Sequence, residues 1–340
     1  MLKDNDMLVF RIAELFFSGL KVSEIAKTVN EELTLDPPLS RESVYPLLST
    51  AATKGFARLV PPLDLALRGK LVEQFELVPE RVRVVPIPNP QSNSRVAATA
   101  ADLAYEVLLT LGRGPGPIGV GLGPGRATLE FSRHLGQLLR AKPLPRKLKL
   151  FAISAGAPSS SPEYAPTSFF NLFPSEMVDS RRGLFADVLV KAKNFAKVKK
   201  SSGAGRTFDE RDEISLVVTS MGDANDEHDL LRRFLIEAGE NETRFTRDKW
   251  VGNVQYRGYS HNGPVIERAN DLRAVTAFEL EELRGIASHR DKHVLLIAKQ
   301  CRCGRTKARA LRPLLEVPAL RVFTSLVLDD KTASELTQSA

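Results

Sequence analysis

Apolar residues recur at helical spacing from the start of the chain. Leu8, Ile12, Leu15 and Phe16 mark one buried face of a helix over residues 7–17, with Gly19 placed to end it. Val22, Ile25, Ala26 and Val29 form the stripe of a second, short helix entered at Ser23 and stopped by Asp36-Pro37-Pro38. A third helix is predicted over residues 41–54, introduced by Ser40, with Val44, Leu47, Leu48 and Ala51 on one side and Gly55 closing it. Phe56 to Val60 then has the pattern of a short strand. Three small helices and a strand-like wing predict a winged helix-turn-helix over residues 1–60. In that arrangement Arg41, Ser43 and Tyr45, early on the third helix, project outward toward a major groove. Pro46 falls inside this helix, where a proline removes a hydrogen bond at a cost of roughly 3 kcal/mol, so the helix is expected to begin later or to bend.

Residues 61–90 read as a connector. Leu63, Leu67, Leu71 and Phe75 recur every four residues on a helix, and the segment from Arg81 to Pro88 reads as a strand. Beyond Pro90 the pattern changes to alternating short apolar runs and amphipathic stretches. Strands are expected at 118–121, 148–153, 216–218, 294–298 and 322–328, and helices at 97–111, 129–139, 229–237, 279–287 and 306–315. Such alternation predicts an α/β domain over residues 91–340, with parallel strands and helices on the sheet faces.

Three loops that follow predicted strands carry chemistry. Gly119-Val-Gly121-Leu-Gly123-Pro-Gly125-Arg126-Ala-Thr128 is a glycine-rich strand-to-helix turn, the kind that offers backbone N–H groups and a helix dipole to an anion such as a phosphate. It lacks the acidic partner of a dinucleotide site and the Gly-Lys-Ser/Thr of a P-loop, and as a lone motif it also reads as a tight turn without a ligand. Gly304-Arg-Thr-Lys307 repeats the arrangement with fixed positive charge. Asp329, after the last strand, has the chemistry to accept hydrogen bonds from sugar hydroxyls, although both loops also read as plain helix caps. Loops after parallel strands converge at one sheet edge, where ligands bind in open α/β sheets. Arg257, amid turn residues, is a further polar candidate. His289, His293, Cys301 and Cys303 do not make a four-ligand metal set on spacing, and the cysteines, directly after a buried strand, read as inert packing. No catalytic triad or carboxylate pair stands out, and no cofactor is implied.

Charge qualifies this reading. The 340 residues carry a formal charge of +7, yet residues 1–60 hold seven basic and eight acidic side chains, so the helical segment is not a basic arm. Nine basic residues lie within 181–211, a stretch whose Ser201-Ser-Gly-Ala-Gly205 run reads as a solvated surface insertion. No run approaches the roughly 18 apolar residues of a membrane span, and neither a secretion signal nor a disulfide framework is present, so a cytoplasmic protein is expected.

The chain resembles the SorC-type sugar-binding bacterial transcriptional regulators, related to the DeoR type, over nearly its whole length. Leu39 to Phe56 is similar to their recognition helix and wing, and Leu71-Val-Glu-Gln-Phe-Glu-Leu77 to their connector. Gly119-Val-Gly-Leu-Gly123 is similar to their Gly-x-Gly-Trp-Gly turn, Arg257 to Gly263 to their Arg-Phe-Phe-Asp stretch, Gly304-x-x-Lys307 to a helix start, and Asp329-x-x-Thr-Ala333 to their closing motif. Leu122, Pro46, Ser260 and Leu328 depart from the family pattern. The resemblance implies an effector domain with the Rossmann-like fold of sugar-phosphate isomerases, which binds a phosphorylated sugar and catalyses nothing. It implies DNA contacts from Ser40, Arg41, Ser43, Tyr45, Ser49, Lys54 and Arg58. Effector contacts would come from Gly121, Gly123, Gly125, Arg126, Thr128, Arg257, Lys307 and Asp329. The implied partners are an operator DNA, a small phosphorylated metabolite and further copies of the chain, as a homodimer or homotetramer. An isomerase or deaminase on the same fold, and a regulator that has lost its effector, are the alternatives.

Overall fold

The computed structural model describes residues 4–57 and 60–338, which form two compact units: residues 1–60 together with 137–143, and residues 61–136 together with 144–340. In the first unit α1 (Asp4–Phe17), α2 (Val22–Leu33) and α3 (Arg41–Thr53) enclose Ile12, Leu15, Ile25, Ala26, Val29 and Val44, the positions that the helical periodicity selects. Gly19 follows α1 with φ +99°, the left-handed conformation that stops a helix at little cost to glycine. Ser40 caps α3 by accepting the Ser43 N–H at 3.2 Å. Pro46 does not delay the start of this helix: α3 begins at Arg41 and contains the proline. The expected wing is absent among the described residues, where 56–57 form a bend and Val60 is irregular; Arg58 and Leu59 lie outside them.

The second unit opens with α4 (Leu65–Phe75), capped by Asp64, and β1 (Val82–Val85). Then come α5 (Ser94–Leu111), β2 (Ile118–Leu122), α6 (Arg126–Ala141), β3 (Leu148–Ala152) and β4 (Val178–Arg182). The chain continues through β5 (Leu189–Lys191), α7 (Phe195–Val198), α8 (Gly205–Glu210), β6 (Ile214–Asp223), α9 (Leu230–Glu237) and α10 (Thr243–Arg247). A short meander of β7 (Gly252–Val254), β8 (Arg257–Ser260) and β9 (Gly263–Pro264) follows, then β10 (Leu272–Ala274) and α11 (Leu280–Ser288). The unit ends with β11 (His293–Ala298), α12 (Ala308–Glu316), β12 (Ser325–Asp329) and α13 (Asp330–Gln338).

The main sheet runs β1-β12-β11-β6-β2-β3-β4, with every neighbouring pair parallel. The far end of the long β6 turns antiparallel by pairing with β7, register Met221 to Val254. Val84, Val294, Leu296, Leu326 and Leu328 on one face pack with Leu71, Leu283, Leu311, Leu314 and Leu336 from the helices. The alternate positions Val85, Leu295, Ile297 and Val327 are also buried and face the opposite side, as pleating requires. Burial on both faces is why these strands read as continuous apolar runs.

Residues 181–211 are not a solvated insertion. Phe195, Ala204 and Thr207 are buried, β5 pairs antiparallel with β10, and the Arg273 guanidinium stacks 3.7 Å from the Phe195 ring centre. Glu210 collects Lys149, Arg182 and Arg206 at 2.5–2.7 Å and is held at about 2 by hydrogen bonds from Lys149 and Arg206. The basic residues of this stretch include partners in ion pairs and ring contacts as well as solvated cations.

Candidate functional site

Strands β2, β3 and β4 extend to one side of the sheet and β6, β11, β12 and β1 to the other, so the direction of winding reverses between β2 and β6. The crevice outside the carboxyl ends of strands at such a point is where open parallel sheets bind ligands. A cavity of 180 Å³ lies there. Its walls are the turn after β2 and the start of α6 (Pro124 to Ala127), the end of β6 (Ser220 to Gly222) with the loop that follows it (Asp226, His228, Asp229), and the loop after β11 (Lys299 to Arg302, Lys307), with Tyr164 and Asn253.

Cations outnumber free carboxylates on this lining. Lys299 is ion-paired to Glu130 and lies 3.3 Å from Asn93 Oδ1; burial lowers its pKa while the Glu130 charge opposes that shift. Lys307 Nζ donates to Asp226 Oδ2 at 2.8 Å. Burial works against the Asp226 carboxylate, but the Lys307 charge and hydrogen bond hold it down at about 2. Asp229 has both oxygens occupied: Oδ1 accepts the Arg232 N–H at 2.8 Å as the cap of α9, and Oδ2 accepts Asn253 Nδ2 at 2.9 Å. Burial raises the pKa of Asp229. Arg126 Nε donates to the Tyr164 hydroxyl at 3.1 Å, and Arg126, Arg233 and Arg302 add positive charge to the rim. A small anion that also carries hydroxyls matches this lining, whereas drug-sized ligands take cavities of roughly 300 Å³ and more.

The sequence candidates divide around this cavity. Gly125, Arg126 and Lys307 line it; Gly121, Gly123, Thr128, Arg257 and Asp329 do not. A Cβ on Gly123 would collide with the Thr219 side chain, and one on Gly121 would meet Ile153, so both glycines answer to strand packing. The N–H groups of Gly123 and Gly125 are spent on the Val218 and Tyr164 carbonyls at 2.8 and 3.1 Å. Thr128 is buried within α6. Asp329 accepts the N–H groups of Gln300 and Thr332, both at 2.7 Å, and so ties the end of β12 to the loop after β11. Arg257 lies on β8 between Glu267 at 2.6 Å and Glu279 at 2.9 Å.

On the helical unit, Ser40, Arg41, Ser43, Tyr45 and Ser49 are all exposed along α3, with Tyr45 at 53%. Lys54 is engaged by Asp6, and Arg58 lies outside the described residues.

Asp226, His228, Asp229 and Lys299 escape the sequence reading. The hydrophobic run of β6 stops at Val218, while the strand continues through Thr219-Ser-Met-Gly-Asp223, so the start of its loop is hidden. Nor are the cysteines buried packing: Cys301 is half-buried, Cys303 is exposed, and both are free thiols. The signal available was two short pairs, Asp226-x-His228 and Cys301-x-Cys303, each after a strand.

The sequence matches the family described as "Putative sugar-binding domain" over residues 63–338. No curated protein matches the chain. Among solved structures it is similar to the full-length sorbitol operon regulator SorC from Klebsiella pneumoniae, at 18% identity and TM-score 0.65, covering 99% of this chain and 100% of that one. It is also similar to a DeoR family transcriptional regulator from Listeria monocytogenes (16%, TM-score 0.59, 79% of this chain and 98% of that one). A probable sor operon regulator from Shigella flexneri matches at 18% and TM-score 0.60, over 80% of this chain and 98% of that one. These likenesses show the fold.

Proposed function

The chain belongs to the sugar-binding-domain family, and on that premise we propose that it is a DNA-binding transcriptional regulator whose operator affinity is set by a small phosphorylated sugar or related metabolite. The observation that carries the proposal is the cation-lined cavity at the reversal point of the sheet, with Arg126 from the turn after β2 and Lys299 and Lys307 from the loop after β11 converging on it. Fixed cations suit a phosphate, and Asn253 and Gln300 suit sugar hydroxyls. The exposed Arg41, Ser43 and Tyr45 on the capped helix α3 support a groove-reading role, with Ser40 and Ser49 beside them. Two of the similar structures are sorbitol or sor operon regulators, which supports the same reading. Assembly as a dimer or tetramer would bring two such helices to the half-sites of one operator. Catalysis is no part of the proposal: Asp226 is ion-paired and both Asp229 oxygens are taken, so neither is free to act as a base.

The test is a gel-shift on native promoter fragments with and without a panel of phosphorylated sugars. The expected result is a retarded complex whose affinity changes with one of them, and no retardation at low salt would sink the proposal.

A further inference from the structure

Two loops at the lip of the cavity bring together Asp226, His228, Cys301 and Cys303, with one ligand atom from each, all within 4.8 Å of one another. A carboxylate oxygen, an imidazole nitrogen and two sulfurs are a donor set for a borderline-soft divalent ion, and two thiolates exclude magnesium or calcium as its natural occupant. Zinc bond lengths of about 2.0 Å to N and O and about 2.3 Å to S place tetrahedral edges at about 3.3 Å for N···O and about 3.5 Å for S···N. Asp226 Oδ1 lies 3.3 Å from His228 Nδ1, and Cys301 Sγ lies 3.7 Å from the same nitrogen. We infer that these four residues form a tetrahedral site for a divalent ion of the zinc class.

The backbone is arranged for it. In the loop after β11, Cys301 N–H donates to the Arg305 carbonyl and Gly304 N–H to the Cys301 carbonyl, each at 2.9 Å, with Gly304 at φ +94°. That turn folds Cys303 back beside Cys301. In the loop after β6, the His228 N–H donates to Asp226 Oδ1 at 3.0 Å, which fixes the pair of ligands relative to each other. Arg305 bonds the Asn225 carbonyl and clamps the two loops together. Two thiolates and a carboxylate overbalance a divalent cation by a single negative charge, and the Lys307 ammonium on Asp226 Oδ2 offsets it. The His228 ring is half exposed and Cys303 is exposed, so an ion has a way in.

The experiment is titration of the reduced full-length protein with Co²⁺, followed by displacement with Zn²⁺. It does not depend on any effector, so its failure would leave the sugar-phosphate proposal standing. One equivalent should produce thiolate-to-cobalt charge transfer and the intense visible bands of tetrahedral cobalt, both bleached by Zn²⁺. Cys303→Ser, at an exposed position that should not disturb folding, is expected to remove part of the charge transfer and weaken binding by at least the ~10–100-fold typical of even outer-shell changes. His228→Ala should weaken binding similarly without removing thiolate charge transfer. Octahedral cobalt, no binding at one equivalent, or a spectrum unchanged by both substitutions would overturn the site.

Discussion

Arg257 and Lys307 are nearly equal in burial, at 3% and 7% exposed, and both face carboxylates, yet they sit in opposite kinds of place. Arg257 is locked by Glu267 and Glu279, with Arg273 completing the cluster and stacking on Phe195. It does not line the cavity. Lys307 has one carboxylate partner, Asp226, and opens on the cavity. Motif membership therefore does not separate a binding cation from a structural one; what adjoins the side chain does. Within this cluster, burial opposes ionisation of Glu279, but Arg257 and Arg273 hold its pKa below the usual carboxylate range.

The largest expected effect follows from breaking the structural member. Arg257→Ala removes the partner of the buried Glu267, and removing one partner of a buried pair costs about 3–5 kcal/mol. Urea unfolding should register that loss with no specific change in effector affinity among molecules that remain folded. A loss below about 1 kcal/mol would show that the Arg257–Glu267 pair is solvated like a surface pair and not structural.

Lys307→Gln probes the open member. Asp226 is itself buried, so losing its ammonium partner is expected to cost stability as well, within the same range of about 3–5 kcal/mol or below it. What should disappear is ligand stabilisation, about 2.7 kcal/mol for the unsubstituted protein at a ligand concentration 100 times the dissociation constant. Thermal shift with the effective sugar phosphate reads this directly, and an undiminished shift in Lys307→Gln would remove Lys307 from the site.

His293 sharpens the contrast along a single strand, because β11 begins at this buried imidazole and ends beside Lys299. His293 Nδ1 accepts from Arg81 at 3.3 Å, which requires the neutral ring, and burial together with the Arg81 charge lowers its pKa to about 4. The folded value lies below the unfolded one of about 6.5, so the unfolded state takes up the proton first. Stability from this group is complete above about pH 6.5 and is lost as pH falls toward 4. Between pH 7 and pH 5 the native protein should lose up to about 2 kcal/mol more than His293→Gln does in paired unfolding curves.

How much of this was legible depends on what each residue signals by itself. The periodicity of Ile12, Ile25, Val29 and Val44 reports the helical core, because helix burial is a local pattern. Arg257 and Lys307 look alike in sequence, since their partners Glu267, Glu279 and Asp226 arrive from other elements. The basic stretch 181–211 misleads through its Lys, Ser and Gly content, while Phe195 and Phe208 carry the opposite signal too sparsely to make a period. Pro46 misleads about where α3 starts, because the capped and packed helix tolerates the hydrogen bond it removes.

The same division between engaged and available cations reaches the helical unit, where the effects are smallest. Lys54 is tied to Asp6, whereas Arg41 stands exposed on the first turn of α3, beside Ser43 and Tyr45. If α3 faces DNA, Arg41 is the cation free to displace a counterion from the phosphate backbone. Arg41→Ala should then reduce the slope of log affinity against log salt by about 1, weakening binding across sequences if its contact is to phosphate. Lys54→Ala should leave that slope unchanged and cost less than about 1 kcal/mol in stability, as a partly exposed pair does. A gel-shift salt series on both variants decides between them. A slope change at Lys54 with none at Arg41 would mean that the Asp6 pair opens on DNA and that α3 does not present its first turn to the duplex.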